Sequence, residues 1–138
     1  TDILVVDTMG ELQRLYAAAD LAFVGGSLVG VGGHNLLEPC AVGVPVIFGP
    51  HVFHFEDISR MILEKGAGSQ IYDASGLADS VSLYLEQSAL RAAASEAARL
   101  LVLENRGAVA RTLQLMSEST RWADLKAGAT EPVSALHD

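Results

Sequence analysis

Short runs of apolar β-forming residues alternate with segments of helical period through the first half of the chain, and this alternation restricts the possible folds most. Ile3–Val6, Leu21–Val24, Pro45–Phe48 and Ser69–Tyr72 read as strands. Between them, Leu12, Leu15, Tyr16 and Ala19 recur at i, i+3, i+4 and i+7, predicting a helix over 11–19. A second helix is predicted over 35–42, ended by Gly43, and a third over 55–64, with Ile58, Met61 and Ile62 on one face. Strands separated by helices in this rhythm form βαβ units, whose strands lie parallel and carry helices on both faces. The expected fold is therefore α/β, a Rossmann-like three-layer parallel sheet with right-handed crossovers.

Beyond Asp73 the pattern is helical, with segments predicted over 75–85, 89–104 and 108–119. The alanine-rich run 92–98 keeps a helical period through Leu90, Ala94, Ala97, Leu101 and Glu104, so it reads as a packed helix. Trp122 reads as a packing anchor for the last of these extra C-terminal helices. Residues 1–125 are expected to form one domain, and the Gly/Ala/Pro/Ser-containing stretch 126–138 a disordered tail. The chain opens directly on a strand-like run without Met, as a piece of a larger protein would.

Composition excludes several functions. Lys and Arg number 9 against 17 Asp and Glu, a net charge of −8 that argues against nucleic-acid binding. A single Cys40 excludes an internal disulfide framework and a cysteine-rich zinc site, and its apolar surroundings read as burial. His51 and His54 lack a third ligand in view, so neither a metal nor any other cofactor is expected. No apolar run has the length of a membrane span.

Ligands of an open parallel sheet bind beyond the carboxyl ends of its strands. Two loops stand there, Asp7–Gly10 after the first strand and the segment 25–34 after the second, which holds five glycines. Glycines admit positive φ and let a ligand approach backbone N–H groups closely. A following helix start adds unpaired donors and partial positive charge, which together suit a phosphate even on an acidic chain. The dinucleotide fingerprint fails because Asn35 stands where its third glycine belongs, and no Lys-Ser/Thr follows Gly30 as a P-loop requires. Instead Asn35 and Glu38 lie three apart, on one helix face. A carboxylate there can accept both hydroxyls of a ribose, the layout of a nucleotide-sugar site. The same pair also reads as a capping box, with Asn35 capping the helix and Glu38 reaching back to its N–H, although Pro39 removes an early helical donor. Asp7 or Thr8 is a candidate cap for the first helix, and Glu11 reads either as a ligand contact or as a dipole-favoured acid of its first turn. Asn105-Arg106-Gly107 reads as a helix break, with Arg106 the one tail cation suited to a phosphate.

The strings Asp7-Thr8-Met9-Gly10-Glu11-Leu12, Gly25-Gly26-Ser27, Gly32-Gly33-His34-Asn35-Leu36-Leu37-Glu38-Pro39, Gly43-Val44-Pro45 and Gly49-Pro50 resemble, in order over residues 2–68, the 3-deoxy-D-manno-octulosonic acid (Kdo) transferases. These are GT-B glycosyltransferases that transfer Kdo from CMP-Kdo to a lipid A precursor in lipopolysaccharide synthesis, without a metal, at the cytoplasmic face of the inner membrane. The resemblance implies that this chain belongs to the C-terminal donor domain. The acceptor site, membrane anchor and catalytic carboxylate would lie in an N-terminal half, so the chain alone would be inactive. It also implies that Glu38 holds the CMP ribose, that Asn35, Gly32 and Gly33 face the phosphate, that Thr8, Met9, Gly10 and Glu11 lie near the cytosine, and that Gly25, Gly26 and Ser27 lie beside the sugar. His34, at the helix start, reads either as a substrate contact or as a local hydrogen-bonding group. His54 stands where the family usually has Asn, which leaves a sugar contact from that loop open. The alternatives are a GT-B enzyme using a UDP-sugar and a nonenzymatic flavodoxin-like interaction domain.

Overall fold

The computed structural model describes residues 2–108, 110, 111, 114 and 115. Contacts divide the chain into two units, one through Glu104 and one from Asn105. The first unit carries α1 (Leu12–Ala17), β1 (Ala22–Phe23), α2 (Leu37–Ala41), β2 (Val46–Phe48), α3 (Glu56–Lys65), β3 (Gly68–Gln70), α4 (Ala74–Glu86) and α5 (Ser88–Glu104). In the second unit residues 106–108, 110, 111, 114 and 115 are helical. The rest of the predicted last helix, Trp122 and the tail 126–138 lie outside the described residues.

The sheet has three parallel strands in the order β1-β2-β3, with Ala22 opposite Val46 and Val46 opposite Gly68. Ladder bonds extend past the strand ends, from Val24 N–H to Ile47 C=O at 3.0 Å and from Ile71 N–H to Phe48 C=O at 2.9 Å. Side chains alternate between the faces of a strand, so Ile47 points away from Val46 and Phe48, yet all three are buried. Both faces of β2 are therefore covered, as a parallel sheet requires. On one face Ile47 joins Ile71, Tyr84 and Ala94, with Leu21, Leu28, Leu77 and Val81 packed alongside. Each large side chain buried in this way contributes roughly 1.5–3 kcal/mol. Helix α5 lies against α2, α3 and α4 and ties the helices together.

Local signals set the element ends. Asp73 caps α4 by accepting the Gly76 N–H at 2.7 Å. Gly66 ends α3 in the left-handed conformation, φ 72°. Gly68 admits the neighbouring strand, because a Cβ there would stand 2.1 Å from the Val46 carbonyl oxygen.

The expected strand over Ile3–Val6 is corrected: none of these residues is in the sheet, and Val5 is 82% exposed. Ladder donors and acceptors need a partner strand, and among the described residues none runs beside this segment. The expected cap of α1 is corrected as well. Glu11 occupies the N-cap position without a side-chain bond to the helix, and the Thr8 hydroxyl donates to the Glu11 carboxylate instead.

Candidate functional site

Strands β1 and β2 are paired and parallel, so the loops leaving their carboxyl ends lie side by side. The first is the glycine loop, 25–34, and the second runs from Gly49 to Phe55 into α3. Ser27 binds them together. Its fully buried hydroxyl donates to the Val24 carbonyl at 2.6 Å and accepts the Gly49 N–H at 2.8 Å, while its own carbonyl accepts the His51 N–H at 2.9 Å. Gly49 must be glycine for this approach, since a Cβ would stand 2.3 Å from the Ser27 carbonyl oxygen. The Ser27 side chain is thus engaged by the loop scaffold.

The glycine loop closes on itself through the Gly33 N–H, which donates to Gly26 C=O at 3.0 Å. Gly26, Gly32 and Gly33 all have positive φ, at 73°, 103° and 72°. Gly26 and His34 lie together across this closure, and Gly25 stands exposed at its start. The N–H groups of Gly32, His34 and Asn35 have no partner among the described residues, so this end of the loop offers free backbone donors.

Helix α2 begins at Leu37, two residues later than expected, and has five residues. A helix this short supplies less than the half charge of a long one, so the donors come from the loop more than from a macrodipole. Asn35 accepts the Leu37 N–H at 2.9 Å through its side-chain oxygen, an Asx turn just ahead of the helix, whose N-cap is Leu36 without a side-chain bond. The expected capping box is therefore not formed, since it needs the Glu38 N–H on the Asn35 side chain. Glu38 does not return to the Asn35 N–H; its Oε1 meets the Asn35 side-chain amide in a long 3.5 Å contact. Pro39 stands third in the helix, where no N–H has an intrahelical partner, so it costs the helix nothing. Glu38 is half-buried, and α1 packs against its helix. Burial, and then the nearby Glu38 carboxylate, raise the pKa of the Tyr16 hydroxyl. Cys40, further along α2, is fully buried, and that burial pushes its thiol up to about 12.

Thr8, Met9, Gly10 and Glu11 form a second group. Leu4, Val5, Val6, Asp7, Thr8 and Glu11, with Arg14 and Leu15 of α1, line a cleft of about 490 Å³. Met9 is 98% exposed, and Gly10 turns with φ 89°. The structure therefore assembles the glycine loop, Asn35 and Glu38 in one cluster and Thr8 and Glu11 in another.

Sequence reasoning missed the second loop as part of the scaffold. Phe53 lies over Gly32, with a ring carbon 3.2 Å from where a Cβ would stand, and the His51 carbonyl is equally close to the Cβ position of Gly33. The His51 and Phe53 rings meet edge to face at 5.9 Å. The available signal was Gly49-Pro50 directly after a strand end, beside a loop already rich in glycine. Among the described residues no cluster of three or more His, Cys, Asp or Glu is arranged to hold a metal. No helix among them is long and apolar enough to cross a membrane.

Residues 3–101, which hold the glycine loop, the acid-bearing helix and the parallel sheet, match the family model of the group 1 glycosyl transferases, and the chain belongs to that family. Within it the chain is similar to the 3-deoxy-D-manno-octulosonic acid transferase of Bordetella pertussis, with 45% identity across 85% of this chain. It is 43% identical across 84% of its length to the enzyme of the same name from Haemophilus influenzae. Each match covers 27% of the relative, so the chain spans about a quarter of their length. Among solved structures it is similar to the C-terminal CMP-Kdo binding domain of WaaA from Acinetobacter baumannii, with a TM-score of 0.66 and 34% identity, over 70% of this chain and 51% of that one. These likenesses bear out the resemblance carried by the glycine-loop strings, and with it the α/β fold.

Proposed function

We propose that this chain forms the donor-binding part of a Kdo transferase and holds CMP-Kdo by its CMP. The observation that carries the reading is the half-buried Glu38 carboxylate, in the first turn of α2 and against Asn35, next to the free N–H groups of the glycine loop. The N–H groups would take the phosphate, and Glu38 the two ribose hydroxyls, while Asn35 holds both the helix start and one carboxylate oxygen. Donors fixed on the phosphate stabilise the leaving CMP as charge develops, worth up to ~10³ in rate for a well-placed set. Gly25 and Gly26 would lie beside the Kdo, and Thr8 to Glu11 near the base. The general base, the lipid A precursor and the contact with the inner membrane's cytoplasmic face would come through the acceptor half of the enzyme. The 138-residue chain by itself is then expected to show no transferase turnover.

Calorimetry with CMP and UDP tests the reading. CMP should bind and UDP should bind more weakly, and Glu38→Gln should weaken CMP by ~1–3 kcal/mol as the ribose loses a charged acceptor. Preference for UDP would point to the UDP-sugar branch of the family. Unchanged CMP affinity together with lost stability in Glu38→Gln would reduce Glu38 to a capping role.

A further inference from the structure

Gly32 and Gly33 are adjacent glycines with positive φ, and the free donors of the site lie on and immediately after them. Glycine loses more backbone entropy on ordering than any other residue, so a turn of two glycines is costly for a ligand to fix unless something fixes it first. Gly33 is held by its bond to Gly26 and by contact with Ser27 and the His51 carbonyl. Gly32 has no such bond: it is buried, its φ is 103°, and its close neighbour is the ring of Phe53 at 3.2 Å from the Cβ position. Phe53 itself is 54% exposed, so its ring is not a core side chain. The His51 ring meets it edge to face at 5.9 Å, and the His51 N–H is tied to Ser27.

We infer that Phe53 is a positioning residue of the donor site, whose ring holds Gly32 in its left-handed turn and so presets the free N–H groups at Gly32, His34 and Asn35 for an anionic group. This rests on the donor reading above and adds to it a side chain from the neighbouring loop. Phe53 acts on the ligand through Gly32, by removing turn conformations that binding would otherwise have to exclude.

The test uses the whole chain, CMP as probe, and amide NMR spectra with and without it. In the free protein, Phe53→Ala should shift or broaden the Gly32, His34 and Asn35 amides while leaving those of β2 and α5 in place and the Tm close to wild type. CMP affinity should fall on the order of tenfold, as expected when a preset loop must be ordered on binding. Phe53→Trp, which keeps an aromatic face, should restore both amides and affinity. Unaltered Gly32 to Asn35 amides in the Phe53→Ala free protein would overturn the inference, as would full CMP affinity in that variant. A fall in affinity matched by a large loss of Tm, and not rescued by Trp, would make Phe53 merely structural and overturn it too. Failure of the wild type to bind CMP would overturn the donor reading, and the free-protein spectra would still decide whether Phe53 orders the turn.

Discussion

The two loop regions that follow strand-like runs have opposite fates. Leu21–Val24 and Ile3–Val6 are equally apolar and both lead into a turn and a helix. The first enters the sheet because the Pro45–Phe48 run lies beside it, and its loop is then laced to the next one through Ser27, Gly49 and His51. The second has no neighbouring strand among the described residues, and its apolar side chains face outward above a broad cleft. The difference shows that β-propensity nominates a strand and a hydrogen-bonding neighbour makes it one. A glycine-rich turn is likewise fixed by what packs on it.

This contrast can be broken deliberately. The largest effect is expected at Gly49→Ala, which drives a methyl into the Ser27 carbonyl and should cost about 3 kcal/mol or more in urea unfolding. Ser27→Ala should follow, at about 1–3 kcal/mol, because it strands the Gly49 N–H in a buried place. A pH series reads the same ordered region through Cys40. Burial pushes its thiol up to about 12 in the fold from an ordinary 9.0, so above pH 9 the unfolded chain binds fewer protons than the native one. Stability from this group is complete below pH 9 and should fall as pH rises, by about 1 kcal/mol near pH 9.5. At pH 8 the native thiol should resist alkylating reagents. The smallest effect belongs to the other region, where Val5→Ser should change stability by no more than ~0.5 kcal/mol, since its side chain is already in solvent. A large loss there would mean that the 3–6 segment is packed after all.

Much of this was legible in the sequence. Periodicity located α3, α4 and α5 to within two residues, and the strand runs before and after Gly43 and Gly66 are in the sheet. Asn35 and Glu38 were marked by spacing alone, and the structure brings them together. Three things were not legible, each for a physical reason. Ile3–Val6 failed as a strand because pairing is a property of neighbours. Ser27 sat in a ligand-like string, yet its hydroxyl is used by the scaffold, and nothing in the string distinguishes those uses. Phe53 meets Gly32, and Gly49 meets Ser27, 22 residues away in sequence, contacts between loops that no local pattern encodes.

The central claim is that the loop ordered by its neighbours is the one that grips the nucleotide. Titrating CMP into the isotopically labelled chain and mapping amide shifts tests it most directly. The claim requires the largest shifts at Gly26, Gly32 to Asn35 and Glu38, with smaller ones at Thr8 to Glu11. Shifts confined to residues 2–15, or none at saturating CMP, would contradict it.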